Sequence, residues 1–147
     1  MNYFAFTKFA CAVLLVFVVG CVEESEPPIA KPPTVPHKRF SIDLNDGSYE
    51  REIRSGVSAI DFWAPSCGWC VPMGENFETV AEKLEGKVKF FKINVDTSPK
   101  ATRSFGVQAL PTLWVVVDGK PVKHHEGFMN VDEMLTLLKK YIEEKND

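Results

Sequence analysis

From residue 38 onward, apolar side chains recur with two periods, and together these lay out a series of strands and helices. Phe40, Ile42 and Leu44 alternate with polar residues, which predicts a short half-buried strand. Val57 to Phe62 is a mostly apolar run, the pattern of a central strand covered on both faces. Met73, Phe77, Val80, Ala81 and Leu84 fall at helical spacing. Val88 to Val95 is again β-rich. Ser98 followed by Pro99 reads as a cap with proline at the first helical position, opening a short helix to about Phe105. Thr112 to Val117 is a further strand, Asp118-Gly119 a hairpin turn, and Val122 onward its partner strand. Asn130 with Glu133 three residues later is a capping arrangement. The helix behind it carries Val131, Met134, Leu135, Leu138, Tyr141 and Ile142 on one face. The order is β, with room for a short α, then β-α-β-α-β-β-α, without internal repeats. It predicts an α/β domain with a central mixed sheet flanked by helices. About 110 residues suffice for a modest core.

The residues before this domain have a different character. Met1 to Gly20 contains no acidic residue, and Lys8 is its only charged side chain. Phe9 to Val19 is an unbroken apolar or small-residue run, short of the roughly 20 residues a membrane-spanning helix needs. It fits the hydrophobic region of a secretory signal. The run ends Val18-Val19-Gly20-Cys21, which resembles the lipobox of bacterial lipoproteins. That resemblance implies acylation of Cys21 as the first residue of the mature chain; the alternative is an uncleaved signal-anchor. Residues 22–37 hold Pro27, Pro28, Pro32, Pro33 and Pro36, which predicts an extended, semi-rigid tether. The expected organisation is a signal at 1–20, a lipid-anchored tether at 21–37 and one domain at 38–147. The expected location is extracytoplasmic and membrane-anchored, on the periplasmic side of a bacterial membrane.

Composition changes this picture little. The chain has 147 residues, of which 45% are hydrophobic and 25% charged, as in an ordinary soluble domain. Seventeen basic residues face 20 acidic ones, net −3, so there is no electrostatic footprint for nucleic acid.

The cysteines change it more. Cys11 falls in the signal and Cys21 at its end, which leaves Cys67 and Cys70 as the free thiols of the domain. Two cysteines at this spacing either ligate zinc or form a reversible disulfide. A structural zinc site needs four ligands, and His124 and His125, adjacent on a strand, point to opposite faces. A purely structural disulfide across two residues closes too small a loop to gain much chain entropy. A redox dithiol without a metal is therefore expected. The pair follows the Val57–Phe62 strand and opens the next helix. Cys67 is thereby expected at a helix N-terminus, where free N–H groups and the dipole favour a thiolate. Cys70, one turn inward, is expected to be less exposed. The roles follow: Cys67 attacks, and Cys70 resolves.

Residues 57–145 resemble thioredoxin. Asp61-Phe62-Trp63-Ala64-Pro65-Ser66-Cys67-Gly68-Trp69-Cys70 is similar to that family's Asp-Phe-Trp-Ala-x-x-Cys-Gly-Pro-Cys. Lys92-Ile93-Asn94-Val95-Asp96 resembles its third-strand motif, and Gly106-Val107-Gln108-Ala109-Leu110-Pro111-Thr112 its cis-proline loop. Gly127 matches the glycine that lines its substrate groove. The resemblance implies that Asp61 accepts the proton of Cys70 and that Lys92 lies near Asp61 and tunes it. It also implies a cis Pro111 beside the disulfide, with the backbone of Leu110 pairing with an extended substrate. Asp61 is flanked by Ile60 and Phe62 in an apolar strand, where desolvation raises a carboxyl pKa. Trp63 is expected to be part packing and part wall of the active site.

There are three departures. Trp69 replaces the family's proline between the cysteines and is expected to be exposed and to touch substrate. Ser66 replaces an aromatic. Glu75 replaces the helix-kinking proline, while Pro72 lies earlier, which predicts a distortion of the first helical turns at Pro72. The resemblance implies a monomeric protein-disulfide reductase that needs no metal, nucleotide or flavin. Outside the cytoplasm it draws electrons from a transmembrane donor. A disulfide oxidase or isomerase, and a non-catalytic metallochaperone using the cysteines and a histidine, are the competing readings.

Overall fold

The computed structural model describes residues 38–146. The signal segment, Cys21 and the tether therefore lie outside the described residues. Elements follow in the order β1 (Ile42–Leu44), α1 (Tyr49–Glu52), β2 (Val57–Trp63), α2 (Cys70–Lys83), β3 (Val88–Asn94), α3 (Pro99–Ser104), β4 (Thr112–Val117), β5 (Lys120–Glu126) and α4 (Val131–Asn146). The five strands form one sheet in the order β1-β3-β2-β4-β5. β1, β3 and β2 run parallel, and β4 and β5 are antiparallel additions, so the sheet is mixed, as expected.

Strand period sorts the side chains of β2 and β3 onto two faces. Val57, Ala59, Val88 and Phe90 pack with Met73, Phe77, Val80 and Ala81 of α2 and with Met134 and Leu138 of α4. Ile60, Phe62, Phe91 and Ile93 face the other way, toward Tyr49, Ile53, Ala101 and Phe105. By the same alternation Asp61 and Lys92 fall on the α2 face. Asp61 is also the direct β-ladder partner of Lys92. The two charges thus share one face and one rung.

The turn and cap chemistry largely follows the sequence. Asp118 and Gly119 both have positive φ, 48° and 79°, as a type I′ hairpin requires. Asn130 and Glu133 form a reciprocal capping box, each side chain accepting the other's backbone N–H at 2.9 Å. Asn130→Ala is expected to cost about 1 kcal/mol, read as a lower chemical-denaturation midpoint with an unchanged slope.

Four local expectations are corrected. First, the alternation of Phe40, Ile42 and Leu44 does not bury one face. β1 is three residues long, Ile42 is 60% exposed, and Phe40 and Leu44 pack into opposite cores. Second, Ser98 stands at the N-cap of α3 but makes no side-chain cap bond. Asp46, more than 50 residues away in sequence, accepts the N–H groups of Lys100 and Ala101 instead, at 3.1 and 2.9 Å. Third, the second helix begins at Cys70, so Cys67 sits in the turn before it. Fourth, α2 is unbroken from Cys70 to Lys83 despite Pro72. Pro72 is the third residue of the helix, and the first four N–H groups of a helix have no intrahelical acceptor, so no bond is lost there.

Candidate active site

The last residues of β2 deliver the chain into a tight turn. Cys67 N–H bonds the carbonyl of Ala64 at 3.1 Å, and Cys70 N–H bonds that of Cys67 at 3.1 Å. The turn folds the two cysteines together with a Cα–Cα distance of 5.3 Å, and their sulfurs are joined as a disulfide. The Cys70 N–H also points at Cys67 Sγ, 3.2 Å away. Although Cys67 precedes the helix, its sulfur therefore receives the first N–H of α2, and that donor stabilises an anion there. Cys67 is half-buried, whereas Cys70 is only 5% exposed.

The buried acid pairs with Lys92, which borders the same cleft as Cys70. Asp61 is fully enclosed, and neither of its carboxylate oxygens has a hydrogen-bond partner among the described residues. Lys92 Nζ stands 3.5 Å from Asp61 Oδ2 and lies over the Trp63 ring. Burial pushes the Asp61 carboxyl up to about 6, against the downward pull of the Lys92 ammonium; the negative charge of Glu78 adds to the rise. Gly74 makes this geometry possible. A Cβ at that position would stand 2.9 Å from Lys92 Nζ, so a side chain there would push the ammonium aside. A cleft of about 560 Å³ opens onto this region, bordered by Trp63, Cys70, Gly74 and Lys92, with Arg39, Asp43, Glu75 and Glu78 among its outer residues. Trp63 Nε1 is buried there without a partner among the described residues.

The other sequence-derived residues lie on the disulfide turn, on the loop that enters β4 and on the loop that leaves β5. The Leu110–Pro111 peptide is cis, as the family resemblance implies. The carbonyl of Pro111 accepts the Gly127 N–H at 2.8 Å, and this ties the two loops together. Gly127 has φ +93°, a left-handed conformation suited to glycine. Leu110 is half-buried against the second core. Trp69 is 68% exposed, and its ring lies 6.0 Å from that of Phe128, itself 42% exposed. Phe128 is not apparent from the sequence, because a lone phenylalanine after a glycine carries no periodic signal. Its only cue was its place next to Gly127. His124 stacks on Trp114 at 4.6 Å, while His125 Nε2 lies 3.3 Å from the carbonyl of Phe128. Among the described residues no group of three or more His, Cys, Asp or Glu side chains converges.

A mixed-sheet α/β domain with a Cys-x-x-Cys disulfide at the start of a helix, and a buried acid on the strand that leads into it, defines a thiol–disulfide oxidoreductase. The Thioredoxin family profile matches residues 40–140. Thioredoxins of Staphylococcus saprophyticus and Staphylococcus haemolyticus are 33% and 34% identical to the chain over 101 residues. These alignments take in 69% of this chain and 97% of each relative. The structure of chloroplastic thioredoxin z is similar, with a TM-score of 0.63 and 31% identity, covering 69% of this chain and 93% of that one. The chain belongs to the thioredoxin family. Members of this family act on protein disulfides.

Proposed function

We propose that this protein is an extracytoplasmic, membrane-tethered protein-disulfide reductase working through its Cys67-Gly68-Trp69-Cys70 dithiol. The observation that supports the reducing direction best is the fully buried Asp61 paired with Lys92, which borders the same cleft as Cys70. A base there serves the step in which a dithiol is consumed. The Cys67 thiolate attacks one sulfur of a substrate disulfide; that S–S bond breaks, a mixed disulfide forms, and one substrate thiol leaves. Asp61 then takes the Cys70 proton, and the Cys70 thiolate attacks Cys67 Sγ. The Cys67–Cys70 bond forms as the second substrate thiol departs. Two electrons pass to the substrate, and the protein is left oxidised. No metal, nucleotide or flavin enters this cycle.

Restoring the dithiol outside the cytoplasm calls for electrons carried across the membrane, and we assign that role to a transmembrane donor. The tether rests on Val18-Val19-Gly20-Cys21. Labelling of the full chain by a radioactive fatty acid, lost in Cys21→Ser, tests the anchor. Label retained in Cys21→Ser overturns it.

Substrate contact is assigned to Trp69, Leu110, Pro111 and Gly127, with Phe128 added by its contact with Trp69. Two exposed aromatic rings beside a redox disulfide form an apolar platform for the segment flanking the substrate cysteine. Trp69→Ala is expected to raise KM for a protein disulfide about tenfold, equivalent to about 1.4 kcal/mol, with little change in kcat. An unchanged KM overturns this assignment. Insulin reduction with a chemical electron source tests the reaction itself. Turnover that disappears in Cys67→Ser is the expected result. Stoichiometric metal binding without turnover favours the metallochaperone reading instead.

A further inference from the structure

Glu78 lies on α2, yet its carboxylate is occupied by the chain that opens β1. Oε2 accepts the N–H of Phe40 at 2.8 Å and that of Ser41 at 3.2 Å, and Oε1 accepts the Ser41 hydroxyl. Donors and acceptor are 37 or 38 residues apart, so this is a tertiary staple rather than a local turn. β1 needs one. It has three residues, a single neighbouring strand among the described residues and an outward-facing Ile42, so its own ladder and packing hold it weakly.

The register gives the staple a consequence. β1 places Asp43 opposite Lys92 of β3, and Lys92 is the cation beside Asp61. Arg39, Asp43 and Glu78 also border the cleft that reaches Cys70, Gly74 and Lys92. We infer that Glu78 is a positioning residue for the Asp61–Lys92 pair: by stapling residues 40 and 41 to α2 it holds the outer wall of the Cys70 cleft and limits the water that reaches the acid. The sequence around Glu78 gives no hint of this, since it reads as one more glutamate on a solvated helix face.

The charged groups facing Asp61 or the cleft bordered by Lys92 are Lys92 from β3, Glu75 and Glu78 from α2, and Arg39 and Asp43 from the β1 segment; Cys70 also borders it, as half of the disulfide. Removing the Glu78 side chain does two things to Asp61. It admits water, relieving the desolvation that favours the protonated form, and it takes away a negative charge that favours the same form. Both move the titration of Asp61 toward lower pH. A role confined to stability changes the melting temperature and leaves that titration where it is.

The test is an NMR titration of the Asp61 carboxyl carbon in the oxidised full chain, assigned with Asp61→Asn. In Glu78→Ala the midpoint is expected to fall by at least half a pH unit, about a threefold change in the acid dissociation constant. Faster amide exchange at Ile42–Leu44 should accompany it. Glu78→Gln keeps the shape and one acceptor oxygen but not the charge, so its shift, of the same sign, is expected to be smaller than that of Glu78→Ala, and equal shifts overturn the positioning role; if the alanine variant does not fold, faster amide exchange at Ile42–Leu44 in Glu78→Gln is the readout. A titration superimposable on wild type in a folded variant overturns the inference. The catalytic relevance rests on Asp61 being the proton acceptor, but the titration does not. An Asp61→Asn protein with undiminished turnover sinks that role and leaves the Glu78 result standing.

Discussion

Cys70→Ser is expected to turn the catalyst into a trap. Its Cys67 still attacks a substrate disulfide, but no second thiol is present to release the product, so covalent mixed disulfides accumulate. Multiple turnover in an insulin assay should fall to background. Cys67→Ser is expected to lose turnover without accumulating adducts, because the remaining thiol of Cys70 is 5% exposed. The asymmetry follows from local structure. Cys67 stands in the turn before α2, half-buried, with the Cys70 N–H directed at its sulfur, whereas Cys70 begins the helix and faces the interior. Mass spectrometry of the species retained by each variant reads the result directly. Adducts on Cys67→Ser rather than on Cys70→Ser would reverse the assignment of nucleophile. The same adducts, digested, identify the client proteins.

Asp61→Asn is expected to stabilise the fold while slowing the enzyme. Burial pushes the Asp61 carboxyl up to about 6 in the folded chain, against roughly 4 when unfolded. The folded state therefore holds this proton more tightly. That contribution to stability is complete at low pH and is lost as pH rises through about 6. Above that range a buried carboxylate remains, and a difference of about two pKa units corresponds to about 3 kcal/mol. Chemical denaturation of wild type and variant should coincide near pH 4 and diverge to about 3 kcal/mol by pH 8, with the variant the more stable. Turnover at pH 7 should fall about 10²-fold, the low end of the range for losing a general base. The two readouts together separate a working acid from a structural one. A variant less stable than wild type at pH 8 contradicts the view that burial, rather than the Lys92 pairing, dominates the energetics of Asp61.

Much of this site was legible because its parts are local in sequence or repeated along a strand. Asp61 is a lone charge between Ile60 and Phe62, and the 2-residue period then fixes the face it occupies. The Cys67–Cys70 spacing lets the two sulfurs meet across a single tight turn. Thr112–Val117, the Asp118-Gly119 turn and the Asn130–Glu133 box were readable for the same reason, since each is decided within a few residues. What escaped was decided by contacts distant in sequence. Asp46 takes over the cap that Ser98 was expected to provide, Glu78 holds a strand that precedes it by more than 30 residues, and Phe128 acquires meaning only when Trp69 is placed against it. Pro72 shows a subtler failure. Its effect depends on its distance from the helix start, and that start lay three residues later than the cysteine pattern implied.

The equilibrium of the Cys67–Cys70 pair with glutathione decides whether this protein is a reductase. Trp69 stands where thioredoxin has proline, so the potential of thioredoxin, about −270 mV, does not transfer automatically. A reductase nevertheless has to lie near or below the glutathione couple. The account predicts a midpoint below about −220 mV. A midpoint near −120 mV, in the range of a strong disulfide oxidant, would contradict it.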